Sequence, residues 1–131
     1  MLKTAALAIA ALFASAAVAL ACSCLPYRDA AAQLAETDVA FIGVAVKTQR
    51  ASPGSRDRVT TFRVTETLKG APARTVRVRH EIGDGGNCGI SFPRNTPLLV
   101  LAYNYNGQLA TSMCSAPRFG EEAYRAAVSG R

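Results

Sequence analysis

The sequence predicts a mainly β protein, a small closed or nearly closed five-stranded β-barrel with short flanking helices. Three observations lead there. Five runs rich in β-branched and other apolar residues follow one another, separated by turn-forming Gly, Pro, Asn and Asp. The 131-residue chain, less an N-terminal leader, leaves roughly 110 residues, the size of one small domain. In so small a domain an open five-stranded sheet would expose both edges, and closure removes them.

Residues 1–21 have the pattern of an export leader. Lys3 is the positive start, Ala5 to Val18 the apolar run, and Ala19-Leu20-Ala21 an A-x-A cleavage signal. The run is short and Ala-rich with no basic stop-transfer flank, which argues against a membrane anchor. A lipoprotein leader also ends at a cysteine, but it places Leu three residues earlier, where this chain has Ala19. Cleavage after Ala21 makes Cys22 the first residue of a single domain, 22–131, that is secreted or periplasmic. No later apolar run is long enough to span a bilayer, so no membrane contact is expected unless Cys22 is lipidated.

The elements then follow in order. Arg28 to Thr37 predicts a short helix of good helix formers. Asp38 to Lys47 predicts the first strand, with Gly43 marking a bulge or barrel corner. Gln49 to Arg58, containing Ser52-Pro53-Gly54-Ser55, is a turn. Val59 to Leu68 alternates, with Phe62, Val64 and Leu68 on one face and Thr61, Arg63, Thr65 and Thr67 on the other. After the Lys69-Gly70-Ala71-Pro72 break, Thr75 to His80 turns Val76 and Val78 inward and Arg77 and Arg79 outward. A glycine-rich loop from Gly83 to Asn87 leads into Cys88. Leu98 to Tyr103 is the fourth strand, Asn104-Tyr105-Asn106-Gly107 a hairpin turn and Gln108 to Met113 the fifth. Phe119 to Val128 predicts a terminal helix with Phe119, Ala123 and Ala126 or Ala127 on one face.

Little in the sequence suggests an enzyme. There is no C-x-x-C, G-x-S-x-G or H-E-x-x-H, and the glycine-rich loop is not followed by a phosphate-binding helix. His80, the single histidine, shares strand parity with Val76 and Val78 and is a strand-end structural residue. Glu66, Glu81 and Asp84 are expected to be solvated surface carboxylates. Lys and Arg outnumber Asp and Glu by 15 to 9, a balance that favours an acidic partner surface or simply keeps the protein soluble, the second being the expected role. Arg63, Arg74, Arg77 and Arg79 form a basic face without interleaved aromatics, so nucleic acid is not an expected partner.

The cysteines are more informative. All four, Cys22, Cys24, Cys88 and Cys114, follow the leader, and an even count in a small exported domain argues for two disulfides. A Cys22–Cys24 bridge would close a strained, tiny ring. Both remaining pairings pin the strap Cys22-Ser23-Cys24-Leu25-Pro26 to the body at Cys88 and Cys114. A mature terminus at Cys22 would carry an amine and a carbonyl on one residue, a five-membered chelate for a metal ion.

The strap C-S-C-L-P directly after the leader resembles the mature start of the tissue inhibitors of metalloproteinases. The resemblance continues through T-D-V-A-F-I-G-V-A-V, T-F-R-V-T-E-T-L-K-G, Cys88-Gly89 and T-S-M-C-S, covering nearly all of residues 22–115 in order. It implies a netrin-like domain, a five-stranded OB-fold-like barrel with short flanking helices and the bridges Cys22–Cys88 and Cys24–Cys114. It also implies a role. The amine and carbonyl of Cys22 would chelate the catalytic zinc of a target metalloproteinase, and Ser23 would enter its specificity pocket. Cys24, Leu25 and Pro26 would extend the wedge, and Cys88 and Gly89 would flank it. The zinc belongs to the target; no intrinsic cofactor is expected, and the protein is expected to be a monomer. The chain lacks the third disulfide and the C-terminal domain of the animal inhibitors. An alternative reading is a netrin-like envelope or extracellular binding module with no protease target.

Overall fold

The computed structural model describes residues 22–84 and 87–130. The expected leader, residues 1–21, lies outside the described residues, as do Gly85 and Gly86 of the loop before Cys88. Among the described residues, seven elements follow in order: α1 (Ala30–Ala35), β1 (Val39–Arg50), β2 (Asp57–Lys69), β3 (Thr75–Glu81), β4 (Pro97–Tyr105), β5 (Gln108–Ala110) and α2 (Glu121–Ser129).

The five strands close into a ring in the order β1-β2-β3-β5-β4, with β1 paired back to β4. Pairing is antiparallel except between β3 and β5, which run parallel through Val78–Leu109 and Arg79–Ala110. Closure covers part of each edge: β1 meets β4 only from Val39 to Val44, and β3 meets β5 only at Val78 and Arg79. β1 carries most of the curvature. Its register against β2 shifts at Ala40/Phe41, Ile42/Gly43 and Ala45/Lys47, and each bulge sharpens the local bend. Gly43 sits at one shift, where a Cβ would lie 2.8 Å from the Arg63 carbonyl oxygen.

This strand has two buried faces, so residues 40–45 are all buried. Phe41 and Ala45 face the barrel interior with Phe62, Val76, Val78, Val100 and Ala102. Ala40 and Ile42 face outward onto a second core, formed with Leu34, Leu68, Leu101 and Tyr124 beneath the two helices. Inside the barrel, Phe62 meets Phe41 and Phe92 edge to face, with centroids 5.5 and 5.0 Å apart.

Asp29 caps α1, its Oδ1 accepting from Ala32 N at 2.8 Å. That bond, helped by Arg28, holds the Asp29 carboxyl below its ordinary value. The turn between β4 and β5 is only Asn106-Gly107, both at positive φ, the backbone of a tight two-residue hairpin. β4 therefore runs through Asn104 and Tyr105, which the sequence pattern placed in the turn.

Two further expectations are corrected. The fifth strand ends at Ala110 rather than Met113. Thr111 N still bonds Arg79 O at 2.9 Å, but Met113 N turns away to Cys88 O at 2.9 Å, and Ser112 begins a turn. In α2 the buried face is Tyr124 with Ala127 and Val128 packed beside it, and Ala123 and Ala126 are exposed. Tyr124 determines that rotation. Its hydroxyl donates to Gln33 Oε1 and accepts from Arg118 N at 2.9 Å and Phe119 N at 3.3 Å. Gln33 Nε2 in turn donates to Ala116 O at 2.9 Å.

Candidate functional site

The strap begins with no local structure to hold it. Residues 22–27 are neither helix nor strand, and Pro26 lacks a backbone donor. Among the described residues, 22–26 make no backbone hydrogen bond to the barrel. Two disulfides hold it instead, Cys22–Cys88 and Cys24–Cys114. These are one of the two pairings left open by cysteine count alone. The bridges lie against each other, with Cys22 Sγ 3.4 Å from Cys114 Sγ and 3.9 Å from Cys24 Sγ.

The base under the strap is firmly built. Met113 N donates to Cys88 O, tying together the two segments that carry the partner cysteines. Asn87 braces the first segment. Its Nδ2 donates to Ile82 O at 2.9 Å, and its Oδ1 accepts from Gly89 N at 3.2 Å. Gly89 is buried, and a Cβ there would fall 2.2 Å from the Ile82 carbonyl oxygen. Only glycine allows the chain after Cys88 to pass so close to the end of β3.

On this base the strap presents an exposed tip. Ser23, Leu25 and Pro26 are exposed, Leu25 at 86%, and Cys22 and Cys24 are half-buried. The structure thus brings Cys22, Ser23, Cys24, Leu25, Pro26 and Cys88 to one surface and puts Gly89 beneath it. Sequence reasoning did not anticipate the bracing by Asn87. An Asn two residues before a glycine in a loop was the available signal. It also missed the apolar exposure of Tyr105 and Met113.

The sulfurs of Cys22, Cys88 and Cys114 lie within 4.8 Å of one another. With all four cysteines in disulfides they are not thiolates, the form that binds metal. His80 is not a ligand candidate either. It is 4% exposed, its Nε2 is 2.7 Å from Thr60 Oγ1, and its Nδ1 is 3.1 Å from Glu81 O. The carbonyl can only accept, so Nδ1 carries the proton and Nε2 accepts from Thr60. Burial pushes the imidazole pKa down, with neighbouring Arg58 adding to the effect and Asp57 opposing it.

The expected surface carboxylates are exposed or half-buried and ion-paired. Glu66 is held by Arg125, and Glu81 and Asp84 by Arg56. Of the four arginines expected on one basic face, Arg63, Arg74 and Arg77 are exposed, and Arg79 pairs with Asp57.

Comparison with protein-family models and with curated proteins finds no match. The two disulfides suit an oxidising, extracytoplasmic compartment. Among the described residues, no helix is long and apolar enough to cross a membrane.

Proposed function

We propose that the chain is an exported inhibitor of zinc metalloproteinases, similar in its strap and barrel to the inhibitory domain of the tissue inhibitors. The observation that carries this reading is the strap itself. Its first residue, Cys22, is bridged to Cys88, and Cys24 to Cys114, so the tip is pinned at both ends of a three-residue C-x-C unit. The closed, mostly antiparallel ring with one parallel contact agrees with an OB-type barrel.

The chemistry follows from the open coordination position of a catalytic zinc, which ordinarily holds water. With Cys22 as the mature terminus, its neutral amine and its carbonyl would displace that water as a bidentate pair. Ser23, exposed beside them, would point into the protease's side-chain pocket, and Leu25 and Pro26 would cover the approach. The bridges restrict the strap before binding, so little conformational entropy is lost on docking.

The test is a one-residue shift of the amine. Protein beginning at Cys22 should inhibit at least one member of a panel of zinc proteases. The same protein with one alanine added before Cys22 should be weaker by at least about tenfold with an unchanged circular-dichroism spectrum. Equal inhibition by both forms would overturn chelation. No inhibition by the Cys22 form would overturn the proposal and leave the netrin-like binding module.

A further inference from the structure

A cavity of about 500 Å³ opens beside the second half of β1; no strap residue lines it, and of the strap's base only Ile82 reaches it. Its charge is one-sided. Lys47, Arg58 and Arg94 line it, and no carboxylate does. The nearby acids are committed elsewhere: Asp57 accepts from Arg79 Nε at 2.9 Å, and Glu81 and Asp84 pair with Arg56. Lys47, Arg58 and Arg94 form no ion pair among the described residues.

One of these cations is held by its side chain, and a second by its backbone. Arg58 Nη1 donates to the carbonyls of Ser55, Arg56 and Asp57 at 2.9, 3.2 and 3.2 Å. That fixes the guanidinium plane while its Nε and Nη2 make no hydrogen bond among the described residues. Arg94 stands beside Asn95, whose φ of 60° is a left-handed conformation. Asn95 N donates to Ala45 O at 3.1 Å, and Arg94 itself bridges to Ala45. The segment is thereby stapled to β1 with its arginine at the cavity mouth. Asparagine tolerates that backbone, and local strain of this sort is characteristic of binding sites.

The floor is formed by His80 and Phe92, rings packed edge to face at 5.0 Å. The His80 nitrogens are consumed by Thr60 and Glu81, so the floor offers little polarity of its own. A concave site with three uncompensated cations above a partly apolar floor concentrates positive potential. Its volume falls in the range of small-ligand sites.

We infer that this cavity binds a monosaccharide-sized molecule bearing an oxyanion, a carboxylate or a phosphate ester, with Lys47, Arg58 and Arg94 receiving the charged group. The site is independent of the strap, and its test does not involve a protease.

Titration calorimetry and amide chemical shifts would be followed with glucuronate, glucose 6-phosphate and neutral glucose as probes. At least one anionic probe should bind with a dissociation constant at or below about 1 mM, shifting the amides of Lys47, Ser91, Phe92 and Arg94. Preference for glucuronate would identify the carboxylate form, and preference for glucose 6-phosphate the phosphate form. Glucose should not bind measurably. Lys47→Ala and Arg94→Ala should each weaken binding about tenfold, the loss expected for one charge-assisted contact. Arg63→Ala, which removes the same charge from an exposed site on β2 outside the cavity, should leave it unchanged. The inference is overturned if neither anion saturates, if glucose binds equally, or if Arg63→Ala weakens binding as much as Arg94→Ala.

Discussion

A buried imidazole has two nitrogens to satisfy, and at His80 the fold satisfies both in the neutral form. Thr48 and Thr60 hydroxyls lie 2.8 Å apart, Thr60 reaches Nε2, and Nδ1–H points to Glu81 O. Protonation would convert Nε2 from acceptor to donor and place a charge in a desolvated site near Arg58. Since the folded pKa lies below the ordinary 6.5, the unfolded chain binds the proton first as pH falls. Stability is therefore full above about pH 6.5 and declines below it, until the folded form protonates too, at up to about 1.4 kcal/mol per pH unit. Asp29 and Glu66, whose pKa values are lowered from already acidic ones, act only at lower pH. Urea midpoints at about pH 7.5 and about pH 5.5 should differ in the wild type and converge in His80→Gln. An equal pH dependence in both proteins would remove His80 as its source. The parity of His80 with Val76 and Val78 made its structural character legible in the sequence. The Thr60 partner, 20 residues away on β2, is fixed by strand register, which no local pattern reveals.

At the scale of elements, local pattern and long-range packing divided the outcome. Strands β1 to β4 lie where their β-forming apolar runs predicted them, and the bulge at Gly43 was signalled by the glycine itself, but Phe62 and Leu68, expected on one face of β2, pack into different cores. β5 was overestimated because Thr111 to Met113 have strand-forming character, while their path is set by Cys88 and Cys114. The face of α2 was misjudged for a related reason. Tyr124 owes its burial to Gln33, a partner 91 residues away. That pair joins α1, α2 and the 116–119 segment, which follows directly on Cys114. Tyr124→Phe would keep the ring packing but remove the hydroxyl, leaving Arg118 N and Gln33 with fewer partners in a dry site. The expected loss is about 1–3 kcal/mol in urea denaturation, with hydrogen exchange rising first at the amides of Arg118 and Phe119. A loss within error would show that water or a shifted Gln33 replaces the hydroxyl.

For the whole molecule, the barrel and the strap are separate structures joined by sulfur. Neither buried core contains a residue of 22–26, so the barrel does not need the strap to form its interior. The strap needs the barrel, through bridges spanning 66 and 90 residues of sequence. Restricting an unfolded loop of that length is worth about 4 kcal/mol in the chain-entropy description. Once Cys24–Cys114 is closed, however, Cys22–Cys88 closes a much shorter additional loop and contributes less. The double variant Cys22→Ala/Cys88→Ala should therefore stay folded, with stability lower by about 2–4 kcal/mol. It is also informative for function. Alanine at position 22 retains the amine and carbonyl that would chelate zinc, so chelation chemistry is unchanged and only the pinning is lost. Inhibition should weaken by at least about tenfold, because the freed tip must be ordered again on docking, and this appears as faster dissociation. If the variant loses stability but inhibits as well as the wild type, the Cys22–Cys88 bridge stabilises the fold without preparing the strap.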